Sequence, residues 1–160
     1  MTIDSGNLGR SMLTHLECTN CGATYPSDRL MTTCSVCAKV LFARYDLDSA
    51  ARQMTPQTLA ARPWDMRRYA EILPIQEPEA FPSLGEGGTP LHEAPRLARA
   101  FGCDRLLIKD EGLNPTGSFK ARGLAVAVAR ARELGATTVA IPSAGNAAAA
   151  MTAACARSWA

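Results

Sequence analysis

One lysine in this sequence is placed where its amine could act as a nucleophile. Lys120 closes the segment Asn114-Pro-Thr-Gly-Ser-Phe-Lys120, after a predicted buried strand at residues 105–109 and before apolar residues at helical spacing from 124 to 134. This pattern predicts Lys120 in the first turn of a helix. The positive end of the helix dipole and desolvation by Phe119 would both favour the neutral amine. A neutral amine can form a Schiff base with a carbonyl compound, whereas the alternative is a lysine that points into water.

Four cysteines form a second group with chemical potential. Cys18 and Cys21 make one Cys-x-x-Cys pair, Cys34 and Cys37 make another, and twelve residues separate the pairs. Two such turns that face each other supply the tetrahedral thiolate set that zinc prefers, so we predict a structural zinc site. A disulfide framework fits poorly without a secretory signal, and a redox pair fits poorly without a thioredoxin-like pattern.

The residues around the cysteine pairs refine this prediction. Gly22 follows the first pair and accepts a positive φ, while Ala38 takes the equivalent place after the second pair and is less favourable there. His15 lies three residues before the first pair. Because four cysteines already complete a closed tetrahedral site, we interpret His15 as a surface histidine rather than a ligand.

Helices and strands alternate in the second half of the chain. Such alternation is typical of an α/β fold with a parallel sheet, in which ligands bind at the carboxyl ends of the strands. The loops at 114–117 and 143–146 each follow a predicted strand, so Lys120 and Asn146 are expected at the same edge. The predicted elements are helices at 94–101, at 118–134 and from 146 onward, and strands at 105–109 and 137–141.

The chain divides into four predicted regions: a tail at 1–14, a zinc-ribbon-like segment at 15–45, a helical and proline-rich connector at 46–82, and part of a catalytic domain at 83–160. Trp64 could pin the connector to the catalytic domain or belong to a small separate cluster.

Composition excludes several classes of function. With 47% apolar and 20% charged residues, the 160-residue chain has globular composition. A net charge of +2 is too small to indicate nucleic acid or an acidic membrane surface as a partner. Neither a signal peptide nor a membrane-spanning segment is apparent, so we expect a cytoplasmic protein.

Three motifs occur in a fixed order: Glu86-Gly-Gly-Thr-Pro-Leu91, Asn114-Pro-Thr-Gly-Ser-Phe-Lys-Ala-Arg-Gly123 and Ser143-Ala-Gly-Asn146. Together they resemble the threonine synthases, in the tryptophan-synthase-β-like family of pyridoxal-phosphate enzymes. The resemblance runs from about Cys18 to the end of the chain, and some members carry a similar zinc-ribbon-like segment. It implies a fold-type-II lyase of amino-acid biosynthesis, preceded by a small zinc ribbon with four cysteine ligands. A homo-oligomeric full-length form is compatible with the resemblance.

The resemblance also implies roles for individual residues. Lys120 would carry pyridoxal phosphate, and Asn146 would hydrogen-bond the ring hydroxyl of the cofactor. Thr89 would be a polar contact in the wall of the substrate site, and Lys109 and Arg122 are candidates for the substrate phosphate. The loop that would hold the substrate carboxylate contains Ser143, Gly145, Asn146 and Ala147. The implied reaction converts O-phospho-L-homoserine and water into L-threonine and phosphate.

The sequence departs from the family pattern at Ala121, where many threonine synthases have an aspartate. This departure leaves open a serine or threonine dehydratase-like β-eliminase. A non-catalytic zinc-ribbon interaction module is a further alternative, although residues 15–45 contain few cations to bind phosphate. The family's glycine-rich loop for the cofactor phosphate would lie beyond residue 160, so we expect these residues alone to be an incomplete and inactive portion.

Overall fold

The structure is a computed structural model that describes residues 8–78 and 81–159. Within these ranges the chain forms two small antiparallel sheets, a set of short helices and one pair of longer helices. Residues 1–7 of the predicted tail and residue 160 lie outside the described part. None of the helices in the described ranges is long and apolar enough to cross a membrane.

The first sheet contains β1 (Leu13–Cys18), β2 (Thr24–Pro26) and β3 (Leu41–Tyr45) in the order β2-β1-β3. Both pairings are antiparallel, and the register between β1 and β3 shifts between Leu13 and His15. We call residues 13–45 the cysteine module. Its first strand begins inside the predicted tail, because the backbone of Met12 bonds to Glu71 on one side and to Asp46 on the other, each at 2.9 Å.

The connector consists of α1 (Leu47–Gln53), α2 (Pro56–Ala61) and a 3-10 helix at Met66–Ile72. Local sequence explains where the two α-helices begin. The Asp46 side chain accepts a hydrogen bond from the Ser49 amide and caps α1, and Thr55 and Thr58 form a capping box at the start of α2.

A buried ion pair joins the end of α2 to the 3-10 helix of the connector. Arg62 donates to both carboxylate oxygens of Glu71, at 2.8 and 2.6 Å, and the Glu71 residue is 0% exposed. Burial raises the pKa of Glu71, but the hydrogen bonds from Arg62 outweigh burial and hold this pKa below its ordinary value. The bidentate geometry fixes the 3-10 helix against the end of α2.

The second sheet pairs β4 (Leu91–Glu93) with β5 (Leu107–Lys109), and α3 (Pro95–Phe101) connects them. The pairing is antiparallel, with His92 opposite Ile108. All three residues of β5 are exposed. The prediction of a buried strand in a parallel sheet is therefore wrong in the described residues. The reason is that β4 is short and carries polar residues, so no apolar run marks it as the partner of β5.

The second predicted strand, at residues 137–141, forms no ladder with any described residue. A strand needs a neighbour to satisfy its backbone groups, and residues 8–78 and 81–159 supply none at this place. The α/β character is confirmed in coarse form, as a mixed structure with small sheets. A parallel sheet is not found in this part of the chain.

The largest packed unit is the pair of helices α4 (Lys120–Glu133) and α5 (Asn146–Ser158). Small residues at the contact let the two helices approach closely, and side chains from the connector cover them. The buried cluster contains Ile75, Phe81, Ala125, Val128, Ala129 and Ala154. The two helices begin at the two residues singled out by the sequence motifs, Lys120 and Asn146. Helix α5 also contacts the 3-10 turn Pro115–Gly117 that precedes α4.

Candidate functional site

The four paired cysteines converge in the cysteine module. All four Sγ atoms lie within 4.8 Å of one another. The Sγ–Sγ distance is 3.4 Å from Cys18 to Cys37 and 3.6 Å from Cys21 to both Cys34 and Cys37. A tetrahedral zinc ion with Zn–S bonds of about 2.3 Å separates its sulfurs by about 3.8 Å. The cluster therefore has the size that one metal ion requires.

Two equivalent turns present these sulfurs. The Gly22 amide donates to the Cys18 carbonyl at 3.2 Å, and the Ala38 amide donates to the Cys34 carbonyl at 2.9 Å. A backbone amide inside each turn also donates to sulfur. The Asn20 amide donates to Cys18 Sγ, and the Val36 amide donates to Cys34 Sγ, each at 3.4 Å. The cysteine spacing thus encodes the same backbone geometry twice, as the sequence predicts.

Hydrogen bonds and neighbouring sulfurs set the charges of these thiols. The Tyr25 hydroxyl accepts from the Ser35 amide at 3.2 Å and lies 3.0 Å from Cys34 Sγ, and this contact lowers the pKa of Cys34 to about 6. The amide of Ala23 favours the Cys21 thiolate, but nearby sulfurs and burial raise the pKa of Cys21 to about 12. Four thiolates at this spacing need a compensating cation, which a bound dication would supply.

Ala38 has φ of 56°, in the left-handed region, and Gly22 has φ of 73° at the equivalent position. An L-residue in this conformation costs about 1–2 kcal/mol, partly offset by the greater chain entropy that glycine loses on folding. Ala38→Gly is therefore expected to stabilise the folded protein by about 0.5–1 kcal/mol. Urea denaturation of the metal-loaded protein measures this change. Gly22→Ala is the matched reverse variant and is expected to lower stability; a destabilised Ala38→Gly variant would contradict the prediction.

Lys120 is the first residue of α4, where the sequence places it. Its backbone amide donates to Ser118 Oγ at 3.3 Å, and its Nζ lies 4.7 Å from the centroid of the Phe119 ring. Phe119 is 57% exposed, so it does not desolvate the amine as the sequence suggests. The Lys120 amine instead lies over the face of this ring, in the arrangement of a cation–π contact.

A hydrogen-bonded network, which we call the Glu111 network, supports the loop before Lys120. Arg122 donates to both carboxylate oxygens of Glu111, at 2.6 and 2.7 Å. Thr89 donates to Glu111 at 2.6 Å, and the Asn114 amide donates to it at 2.8 Å. Asn114 also accepts from the Gly87 amide at 3.1 Å. The network ties the Gly87-Gly-Thr loop, the lysine loop and helix α4 to one carboxylate.

This network changes the interpretation of three residues. The Thr89 hydroxyl donates to Glu111 and accepts from Arg122 at 3.1 Å, and the residue is 6% exposed. Its hydroxyl is thus engaged inside the protein, and a contact of Thr89 with substrate stays a prediction. Arg122 is held by Glu111, and Lys109 Nζ donates to the Thr89 carbonyl at 2.8 Å. Sequence reasoning missed Glu111, because a pattern along the chain does not reveal which distant side chains will meet.

The pKa of Glu111 falls to about 2 from an ordinary value of 4.5, first because of Arg122 and then because of Thr89. A lowered folded-state pKa contributes stability that is present above pH 4.5 and is lost as the pH falls through about 2. Glu111→Gln removes this titrating group, so the free energy of unfolding is expected to fall less between pH 4.5 and about 2 than in the unmodified protein. Urea midpoints measured across this range test the prediction.

The control for this experiment is Glu93→Gln, which removes an exposed ion pair to Arg105 that contributes little to stability. An acid dependence of Glu111→Gln that equals that of the unmodified protein would contradict the prediction. It would mean that other carboxylates carry the acid sensitivity.

The second motif loop lies at the start of α5. Gly145 is the N-cap residue, and its amide donates to Ser143 Oγ at 3.3 Å. Asn146 is exposed, and Ala147 is half-buried. A helix start with an exposed loop leaves backbone amides that can hold a carboxylate. The structure therefore gives residues 143–147 an accessible position at a helix beginning, and α5 contacts the turn that leads to Lys120.

Comparison with known proteins first gives a family of enzymes to which part of the chain is similar. Residues 82–158 match the family described as "Pyridoxal-phosphate dependent enzyme". Individual relatives narrow the comparison to one kind of enzyme. The chain is 44% identical over 138 residues to a threonine synthase of Methanosarcina acetivorans, and this match covers 86% of this chain and 33% of that protein. The resemblance to threonine synthases is thereby confirmed.

A threonine synthase of Methanocaldococcus jannaschii is similar to the same extent, with 41% identity over 142 residues, 89% of this chain and 35% of that protein. The chain thus spans about a third of the length of the curated relatives that it matches. No solved structure matches the chain. Both matches extend beyond the family segment, so they also cover part of the chain before residue 82.

Proposed function

We propose that the full gene product is a threonine synthase-like lyase that converts O-phospho-L-homoserine and water into L-threonine and phosphate with pyridoxal phosphate. The observation that carries this proposal is the position of Lys120, which begins α4 directly after a loop held by the Glu111 network. The relatives named above are threonine synthases, which supports the choice of reaction. The substrate is a small amino acid, and neither nucleic acid nor a membrane is part of the proposal.

The residues present fit the cofactor by the chemistry of their donors. Lys120 offers an amine, Asn146 offers an amide N–H to a ring hydroxyl, and the loop of Ser143, Gly145 and Ala147 offers backbone amides to a carboxylate. Pyridoxal phosphate, when bound, supplies an electron sink for charge that develops on the substrate. Lys120 would hold the cofactor, and its amine would then accept and return protons at the α- and β-carbons of the substrate.

We also propose that Cys18, Cys21, Cys34 and Cys37 hold a structural Zn²⁺. The close spacing of the four sulfurs supports this. Four cysteine ligands leave no open position on a tetrahedral ion, which argues for structure rather than catalysis. The cysteine module contacts α4, since Arg130 donates to the Ser27 carbonyl at 2.6 Å and pairs with Glu133 at 2.7 Å. In this proposal the cysteine module therefore supports helix α4, which begins at Lys120, and is not a separate interaction module.

The β-eliminase alternative rests on Ala121, which is 4% exposed. Ala121 is packed inside the protein, where an aspartate would need a partner for its carboxylate, because burying an unpaired carboxylate is costly. The cytoplasmic location and a homo-oligomeric form belong to the same proposal, and residues 1–160 alone are expected to support no turnover.

Product analysis tests the proposed reaction. The full gene product, supplied with pyridoxal phosphate and O-phospho-L-homoserine, is expected to release phosphate and threonine in equal amounts. The control reaction contains serine or threonine in place of the phosphorylated substrate. Pyruvate or 2-oxobutyrate from the control, without phosphate release from O-phospho-L-homoserine, would transfer the assignment to the β-eliminase.

A further inference from the structure

The second cysteine turn, at residues 34–37, lies outside the strands of the cysteine module. The first turn continues β1, which ends at Cys18, so the sheet itself fixes it. The second turn is reached from β2 through residues 27–33, which form no strand. Its backbone hydrogen bonds are local, from the Cys34 amide to the Lys39 carbonyl and from the Ala38 amide to the Cys34 carbonyl, each at 2.9 Å. Its position relative to β2 therefore depends on a contact from outside the turn.

Tyr25 in β2 supplies this contact. Its backbone is fixed opposite Leu16 of β1. The Tyr25 hydroxyl oxygen lies 3.0 Å from Cys34 Sγ, 3.2 Å from the Ser35 amide nitrogen and 3.1 Å from Ser35 Oγ. Apart from the cysteines, no other side chain of β1, β2 or β3 hydrogen-bonds to residues 34–37 in the part of the chain that the structure describes.

The donors and acceptors at this hydroxyl follow from its chemistry. A tyrosine hydroxyl has one proton to donate and two lone pairs that accept. The Ser35 amide can only donate, so it occupies one lone pair. A metal-bound cysteine sulfur is a thiolate, which has no proton and can only accept. The Ser35 hydroxyl has a proton of its own for the second lone pair, so the proton of Tyr25 is directed to Cys34 Sγ.

The surroundings of Cys34 favour this hydrogen bond. Cys34 is 2% exposed, so water has little access to replace Tyr25 as the donor. Four thiolates around one dication leave excess negative charge on the sulfurs, and a donated hydrogen bond disperses part of it. Hydrogen bonds to a charged acceptor are also stronger than those between neutral groups. Groups that bond to the ligands of a metal in this way orient the ligands and tune the affinity of the site.

We propose that Tyr25 is a positioning residue of the metal site: its hydroxyl donates to the Cys34 thiolate and holds the second cysteine turn where all four sulfurs can reach one ion. This inference rests on the proposed zinc site and adds to it a residue outside the four ligands. Tyr25 does not bind the metal, so its loss is expected to weaken metal binding without removing a ligand.

The first test is the zinc affinity of the 160-residue chain, measured by competition with a chromophoric chelator. Tyr25→Phe is expected to weaken zinc binding by about tenfold, because the hydrogen bond that orients Cys34 is lost while the aromatic ring is kept. Tyr45→Phe is the matched control. It removes the same hydroxyl group from β3 of the same module, at a residue with no sulfur contact among those described, and is expected to bind zinc as the parent does.

The second test separates a bond to sulfur from a general effect on folding. With Co²⁺ in place of zinc, the sulfur-to-cobalt charge-transfer band is expected at longer wavelength in Tyr25→Phe, because a hydrogen bond lowers the energy of the sulfur electrons. Ser35→Ala is expected to leave the band at the position of the parent, since the Tyr25 proton still reaches Cys34. A measurement without substitution is the proton NMR spectrum of the zinc-loaded chain, which is expected to contain a resolved, slowly exchanging signal from the Tyr25 hydroxyl.

The possible failures are distinguishable. If the parent chain binds neither zinc nor cobalt, the zinc site and this role of Tyr25 fall together. If the parent binds one ion and Tyr25→Phe matches it in affinity and in band position, only the inference about Tyr25 is overturned. A band shift in Ser35→Ala as large as that in Tyr25→Phe would overturn the direction of the hydrogen bond. If Tyr25→Phe does not fold at saturating cobalt, as judged by circular dichroism, absence of the hydroxyl signal in the parent overturns the inference.

Discussion

Replacing Lys120 with alanine is expected to abolish the covalent attachment of pyridoxal phosphate to the full gene product. Among the described lysines, this is the one that begins a helix, and its side chain contacts the exposed Phe119 ring rather than a carboxylate. Borohydride reduction followed by peptide mass mapping measures the attachment. Loss of the same amine as a proton acceptor and donor is expected to lower kcat by at least about 100-fold.

The matched controls are the two other lysines of these 160 residues. Lys39→Ala and Lys109→Ala are expected to keep the reducible attachment. The variants are compared by circular dichroism, because removing a side chain that makes one ring contact should leave α4 folded. Label that persists in Lys120→Ala at another lysine would refute the assignment of the cofactor to this helix start.

The start of α4 was predictable from sequence, because the helical spacing after residue 120 and the turn residues before it are local features. The cysteine cluster was predictable for the same reason, since each Cys-x-x-Cys turn is set by neighbouring residues. Gly22, which adopts a positive φ after the first pair, indicates such a turn in the sequence. The parallel sheet could not be predicted correctly. Alternating apolar runs identify candidate strands, but they do not say which segment supplies the partner, and the exposed strand β4 was invisible to that pattern.

The Glu111 network lay beyond sequence reasoning for a different physical reason. Its members are separated by up to 33 positions, from Thr89 to Arg122, and each is an ordinary polar residue when considered alone. The assignment of Thr89 to substrate shows the consequence. The motif indicates a contact with substrate, whereas the structure shows that the Thr89 hydroxyl also bonds Glu111 and Arg122 and so helps to hold the loop.

Loss of the metal is expected to unfold the cysteine module. Cys34→Ser should have this effect because Cys34 is buried, accepts amide hydrogen bonds and contacts the Tyr25 hydroxyl, so its sulfur organises the second turn. Binding of structural zinc by four thiolates contributes on the order of 10 kcal/mol in small zinc domains. Three short strands with exposed residues at several positions cannot replace that contribution. Zinc content and amide exchange of β1, β2 and β3 measure the effect.

Cys103→Ser is the matched control, because Cys103 is an exposed free thiol outside the cluster. It is expected to keep one zinc per chain and slow exchange in the cysteine module. In Cys34→Ser, the core of α4 and α5 should keep more protection than the module, since the buried contacts of Ala125, Val128 and Ala154 do not involve the metal. The contact from Arg130 to Ser27 should be lost first, which would loosen the far end of the lysine helix. Protein purified without added metal that contains no zinc, has four titratable thiols in the cluster and still protects β1 from exchange would show that the module folds without a metal.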